Sequence, residues 1–342
     1  MVSNSFLKLT AVGLATAQLG AAQTYTKCNP FKKTCAADTG LNQWQLNTDF
    51  TSGSSAFSKW NTTSGSVEST SLGAKFTISE QGDAPTIESD FYIFFGRVDV
   101  KMRAANGTGI ISTAVMESDD LDEIDWEQIS TYDSSIETDY FGKGNTTSYD
   151  RATTVDVSSP EETFHTYSID WTSSRIEWLL DGSVVRTLEY ANAVSGKNFP
   201  QTPMRIKIGI WAGGDPDNAE GTIEWAGGET DYTNGPFTMY VDSVNITNYN
   251  PAQAYKYTDK TGSYTSIKAS NSTSSTNLGS SSSSVASSSM ASSSSSASKT
   301  ASSGSAASAS ASSTMSSAAS LSQFCFVFAA GMAAFAAGIF QL

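Results

Sequence analysis

Residues 122–127 read Asp122-Glu123-Ile124-Asp125-Trp126-Glu127. Polar and apolar residues alternate with period two, which predicts a β-strand. Glu123, Asp125 and Glu127 then share one face, and Ile124 and Trp126 take the other. Two glutamates four residues apart on a strand rising ~3.3 Å per residue have Cα atoms about 13 Å apart. Their side chains, leaning together, bring the carboxyls to roughly 5–6 Å, the spacing at which a nucleophile and an acid/base flank one sugar–sugar bond. Asp125 between them can hydrogen-bond one and set the protonation of the pair. Three like charges on one face repel one another, so an ordinary solvated strand is the weaker reading.

Outward from this stretch, Leu41 to Tyr249 carries no long 3.6-period apolar pattern. Short alternating runs separated by Gly, Asn, Asp and Ser recur instead, which predicts an all-β fold, a β-sandwich or jelly roll. Asp181-Gly182 between two such runs reads as a tight hairpin turn. In Met204–Trp211, Ile206, Ile208 and Ile210 form a core stripe, and Arg205, Lys207, Gly209 and Trp211 face the other way. A Trp on a polar strand face needs a cover, either a loop or a sugar ring, and Gly209 leaves room for a ligand. Asp119, Asp120 and Asp122 lack the spaced oxygen ligands of a calcium loop and read as a solvated loop. His165 is the single histidine, with no histidine partner for a metal, and reads as a satisfied structural residue. No metal and no cofactor are expected.

The chain has 342 residues and a net charge of −14, which argues against nucleic acid or an anionic membrane surface as partner and suits a neutral polysaccharide. Residues 1–22 have the small, apolar run of a secretory signal. Secretion implies an oxidising compartment, in which Cys28 and Cys35 pair. Sequons at Asn61, Asn106, Asn145, Asn245 and Asn271 are then candidate glycosylation sites on surface loops. The catalytic domain is placed at 23–255, followed by a Ser/Ala/Thr-rich stalk at 256–312. Residues 313–342 end in an apolar run from Phe324 and read as a GPI-attachment signal that is removed. The expectation is an extracellular monomer, held at the membrane through its lipid only.

Glu123-Ile124-Asp125-Trp126-Glu127 resembles the Glu-x-Asp-x-Glu signature of glycoside hydrolase family 16, and the span from Gln23 to Tyr255 resembles its fungal Crh branch of cell-wall chitin–glucan transglycosylases. The segment Gly221-Thr222-Ile223-Glu224-Trp225-Ala226-Gly227-Gly228, read from spacing alone as a Gly-rich loop, resembles the most distinctive Crh segment. The resemblance implies Glu123 as nucleophile, Asp125 as its helper and Glu127 as acid/base. It also implies a concave glycan-binding cleft, with Glu127, Lys207, Trp211, Thr222 and Tyr232 as glycan-binding residues, a chitin donor and a β-glucan acceptor. The alternatives are an endo-hydrolase of β-glucan or chitin with the same triplet, and a wall lectin without chemistry.

Overall fold

The structure is a computed structural model that describes residues 26–148 and 150–270. The expected signal, most of the stalk, Asn271 and the apolar tail lie outside the described residues.

Eighteen strands follow one another among the described residues. They are β1 (Asp38–Thr39), β2 (Gln45–Asp49), β3 (Trp60–Ser64), β4 (Val67–Thr70), β5 (Gly73–Ile78), β6 (Thr86–Ser89), β7 (Gly96–Arg103), β8 (Ile110–Ser118) and β9 (Glu123–Ile129). Then come β10 (Ser135–Phe141), β11 (Thr153–Asp156), β12 (His165–Trp171), β13 (Arg175–Leu180), β14 (Ser183–Glu189), β15 (Met204–Ala212), β16 (Phe237–Asn248), β17 (Ala254–Tyr257) and β18 (Ile267–Ala269). One α-helix, α1, spans Glu220–Trp225. A seven-stranded antiparallel sheet runs β11-β10-β9-β8-β15-β6-β3. It packs on an eight-stranded sheet ordered β14-β13-β12-β7-β16-β5-β4, with β2 also paired to β16. This is the expected jelly-roll sandwich.

The period-two patterns fill the space between the sheets. Val98, Val100 and Met102 of β7 and Val244 and Ile246 of β16 are buried against Ile206, Ile208 and Ile210 of β15 and Ile124 and Trp126 of β9. Burying one such side chain contributes about 1.5–3 kcal/mol. Two tryptophans also tie the sheets through polar atoms. Trp126 Nε1 donates to Ser168 O at 3.1 Å, and Trp178 Nε1 of β13 donates to Asp125 O at 3.0 Å. Asp181 and Gly182 turn between β13 and β14 with φ of 48° and 81°, the left-handed pair that a two-residue hairpin turn requires.

Two expectations are corrected. The fold does not end at 255: β17 pairs with β1 and β18 pairs with β17, so the stretch assigned to the stalk from 256 starts as ordered sheet through Ala269. Nor do the aspartates before the motif form a solvated loop. Asp120 and Asp122 are fully buried. Asp122 Oδ1 accepts from the Lys143 amide at 2.9 Å, and Oδ2 accepts from the Gln201 amide at 2.8 Å. Thr202 Oγ1 lies 2.6 Å from Asp120 Oδ1 and 2.8 Å from Asp122 Oδ2. One hydroxyl proton serves only one of those acceptors, so a neutral Asp120 closes the network. Burial, then the charge of Asp122, pushes Asp120 up to about 7; burial, then Asp119, pushes Asp38 up to about 8.

A carboxyl raised in the fold and ordinary in the unfolded chain stabilises fully at low pH and loses that contribution as pH rises from about 4 through the raised value. Melting temperature should therefore fall between pH 5 and pH 8. Asp120→Asn, which keeps the acceptor oxygen and cannot ionise, should flatten that fall by several degrees in a calorimetric series. An unchanged slope would remove Asp120 from the account.

Candidate active site

β9 lies between β8 and β10, and its register decides what faces the triplet. Glu117, Val115 and Thr113 of β8 stand directly opposite Glu123, Asp125 and Glu127. On the other side Phe141, Asp139 and Glu137 of β10 stand opposite the same three residues. Directly opposed residues share a face, so all of these side chains line the outer face of the sheet. Asp125 is 2% exposed, whereas Glu123 and Glu127 are only partly buried. The outer two carboxylates can be reached by a ligand and the middle one cannot.

Burial and then the charges of Glu123, Asp139 and Glu137 push Glu127 up to about 8. Asp125 is raised well above the usual carboxylate range by burial first, then by Glu123, Glu127 and Asp139, and its protonated form hydrogen-bonds Glu123. At neutral pH Glu127 therefore holds a proton to donate, and burial favours the protonated form of Asp125, the form that donates toward Glu123.

Trp211 is partly exposed on this face and stacks on Trp225, with ring centroids 6.0 Å apart and planes at 23°. Trp225 Nε1 donates to Glu137 Oε2 at 3.1 Å. Beneath the pair, Ile111, Ile129 and Ala226 form a small apolar cluster separate from the main core. Thr131 Oγ1 donates to Ala226 O at 2.7 Å and accepts from the Gly109 amide at 2.8 Å, pinning this wall to the end of β9. The segment read as a Gly-rich loop begins as α1, because its glycines are at the ends and Glu220–Trp225 closes helical bonds such as Ala226 N to Thr222 O at 2.9 Å. Thr222 stands one turn before Trp225 on the same side of the helix. Tyr232 packs its ring against the main core and donates its hydroxyl to Asp215 Oδ2 at 2.6 Å.

Lys207 faces the site side of β15, as the alternation predicts, but it is buried and its ammonium pairs with Glu117. Burial pulls its pKa down, against the pull of Glu88. Arg205 pairs with Glu88. His165 sits on the other sheet, with Nδ1 2.7 Å from Asp181 Oδ2 and Nε2 2.8 Å from Ser158 O, a structural residue. Cys28 and Cys35 are joined in a disulfide with Cα atoms 5.9 Å apart. Asn106 is exposed in a loop, but Asn61 and Asn245 are exposed on β3 and β16 rather than on loops. Asn145 is partly buried, and its Nδ2 donates to Asn198 Oδ1 at 2.9 Å. Among the described residues no group of His, Cys, Asp and Glu has metal-holding geometry.

Sequence reading missed Trp225, Glu137, Asp139 and Glu117. A signal existed for two of them: Ser135–Phe141 alternates, with Glu137 and Asp139 two apart as in the triplet.

A jelly roll with two reachable glutamates on one strand of its exposed sheet face has the build of a glycoside hydrolase. Residues 34–227 match glycosyl hydrolases family 16, and the chain belongs to that family. Crh-like protein 1 of Aspergillus fumigatus is 63% identical over 272 residues, which cover 80% of this chain and 73% of the relative. The structure of Crh5 transglycosylase in complex with NAG superposes with a TM-score of 0.70 at 56% identity, covering 71% of this chain and 100% of that one. The Bacillus licheniformis β-glucanase shares the fold, with a TM-score of 0.50 at 22% identity, over 60% of this chain and 99% of that one.

Removing one member of a buried ion pair leaves a buried charge and costs roughly 3–5 kcal/mol. Lys207→Met should therefore destabilise the protein by about that amount in denaturant unfolding, and adding Glu117→Leu should recover most of it. Unchanged stability with a raised KM would make Lys207 a substrate contact alone.

Proposed function

We propose that the chain is a retaining transglycosylase of the fungal cell wall that cleaves chitin and transfers it to β-glucan. The observation that carries the reading is the division of the triplet: Glu123 and Glu127 reachable, Asp125 sealed between them. The family and the transglycosylase named among its solved relatives support it.

Glu123 attacks the anomeric carbon of the donor while Glu127 protonates the departing glycosidic oxygen. The Glu123 charge is lost to the ester bond, and Glu127, now anionic, takes the proton of an incoming hydroxyl. The oxygen of that hydroxyl bonds the anomeric carbon and Glu123 leaves as a carboxylate. Water and a glucan hydroxyl compete for this step. Water is at about 55 M, and a well-oriented bound acceptor reaches effective molarities of about 10⁵ M or more, so a good acceptor subsite suffices for transfer. Trp211 and Trp225 give such a chain an aromatic surface, with Thr222 on the same side of α1 as Trp225. A wall polysaccharide places the enzyme outside the cell. Residues 1–22 would direct secretion, the Ser-rich stretch would serve as stalk, and 313–342 would be exchanged for a GPI lipid. Truncation from Phe324 should then release active protein into the medium, and retention on the membrane would refute the anchor.

With a chitin oligomer donor and a labelled β-glucan acceptor, hybrid products longer than the donor are expected. Raising the acceptor should increase them while hydrolysis falls in proportion, because both routes drain one intermediate. Glu123→Gln and Glu127→Gln should each lose nearly all turnover and still bind oligosaccharide. Because Glu127 must carry a proton in the first step, kcat/KM should decline as pH rises through about 8. Shortened donor with no hybrid at saturating acceptor would refute transfer.

A further inference from the structure

We propose that Glu137 and Asp139 of β10 are positioning residues of the reaction: a second carboxylate row that keeps a proton on Glu127 in the first step and keeps Glu127 basic in the second. The proposal rests on Glu127 as the acid/base.

The register puts Glu137 directly opposite Glu127, and Asp139 directly opposite Asp125. Cβ atoms so placed are about 4.5–5.5 Å apart. Both side chains are held. Glu137 Oε2 is fixed by the indole of Trp225. Asp139 is 7% exposed and its Oδ1 accepts from the Tyr140 amide at 2.7 Å. Neither can swing away from the triplet without losing these bonds.

The charges facing Glu127 from the surrounding elements do not cancel the row. On its own strand stand Glu123 and Asp125. From β8 comes uncharged Thr113, directly opposite, and Glu117 farther along, already paired with Lys207 of β15. Arg205 of β15 is paired with Glu88 of β6. The helix α1 reaches Glu137 through the neutral Trp225 indole, and its two carboxylates, Glu220 and Glu224, are exposed. Arg186 and Arg151, held by backbone oxygens such as Thr138 O at 2.6 Å and Tyr140 O at 3.0 Å, keep their charges and pull Asp139 down, but burial outweighs them. Burial raises Asp139 to about 6, so it is anionic in the range where Glu127 titrates.

The two half-reactions make different demands on this row. In the free enzyme Glu123 itself favours a protonated Glu127. Once Glu123 is esterified that charge is gone, and an unassisted Glu127 would become a weaker base at the moment it must take a proton from the acceptor. Neither Glu137 nor Asp139 is consumed by the ester, so both go on acting on Glu127. They sustain the basicity of Glu127 in the step that decides between transfer and hydrolysis.

The test is the pH profile of kcat/KM for hybrid formation in Glu137→Gln, Asp139→Asn and the double variant, with Glu127→Gln assayed alongside. Removing a negative neighbour favours the ionised form of Glu127, so the basic limb should move to lower pH by about half a unit or more in each single variant and further in the double. The rate on the acid side of the optimum should stay within a few-fold of the parent. Glu137→Asp, which restores the charge, should restore the limb. Glu137→Gln keeps an oxygen for the Trp225 indole and lies on a partly exposed residue, so it carries the test if Asp139→Asn does not fold. A folded Glu137→Gln with an unmoved basic limb overturns the proposal, as does a loss of rate at every pH without a shift. Substantial turnover in Glu127→Gln overturns the assignment of Glu127 itself and the proposal with it.

Discussion

A strand that carries three carboxylates on one face holds together because its other face is fixed. In β9 the fixing is done by Trp126, buried and hydrogen-bonded to Ser168 O, and by Trp178, which reaches from the opposite sheet to the carbonyl of Asp125. Slipping β9 by one residue would turn Trp126 outward and the carboxylates into the core. The core thereby sets the register, and the register sets the site. Mutual repulsion along the outer face is then a cost the fold can absorb. It appears as raised pKa values, which leave a proton on Glu127 where the chemistry uses it and favour the protonated form of Asp125.

The same logic extends to the neighbours. Glu117 stands beside Glu123 and is neutralised by Lys207; Glu88 is neutralised by Arg205. On the β10 side Glu137 is held by an indole rather than by a cation, and the Arg151 and Arg186 charges that act on Asp139 do not offset its burial. The sheet is thus electrically asymmetric across the catalytic strand, paired on the β8 and β15 side and anionic on the β10 side. The aromatic wall meets the anionic side, since Trp225 is anchored by Glu137.

Much of this was legible in the sequence. Period two in the triplet and in Met204–Trp211 gave the strands, their buried faces and the outward direction of Lys207 and Trp211. Asp181-Gly182 gave its turn. What was not legible depended on long-range pairing. Asp120 and Asp122 look like a solvated loop until Thr202 and Gln201, some eighty residues away, arrive to bond them. The partner of Lys207 is fixed by the β8–β15 register, which no local pattern encodes. Trp225 sits between glycines that read locally as loop, and only its bond to a β10 glutamate makes it part of the site. The C-terminal strands were lost in a composition that already resembled the stalk, although β17 and β18 complete a small sheet with β1.

The central claim is that the two reachable carboxylates have different jobs, with Glu123 forming the covalent bond. The most direct measurement is a rapid acid quench of the enzyme turning over a chitin oligomer, followed by peptide mapping by mass spectrometry. The account predicts a glycosyl ester on Glu123 that disappears when acceptor is added before the quench. An ester on Glu127, or products of inverted anomeric configuration with no ester on either glutamate, would contradict it.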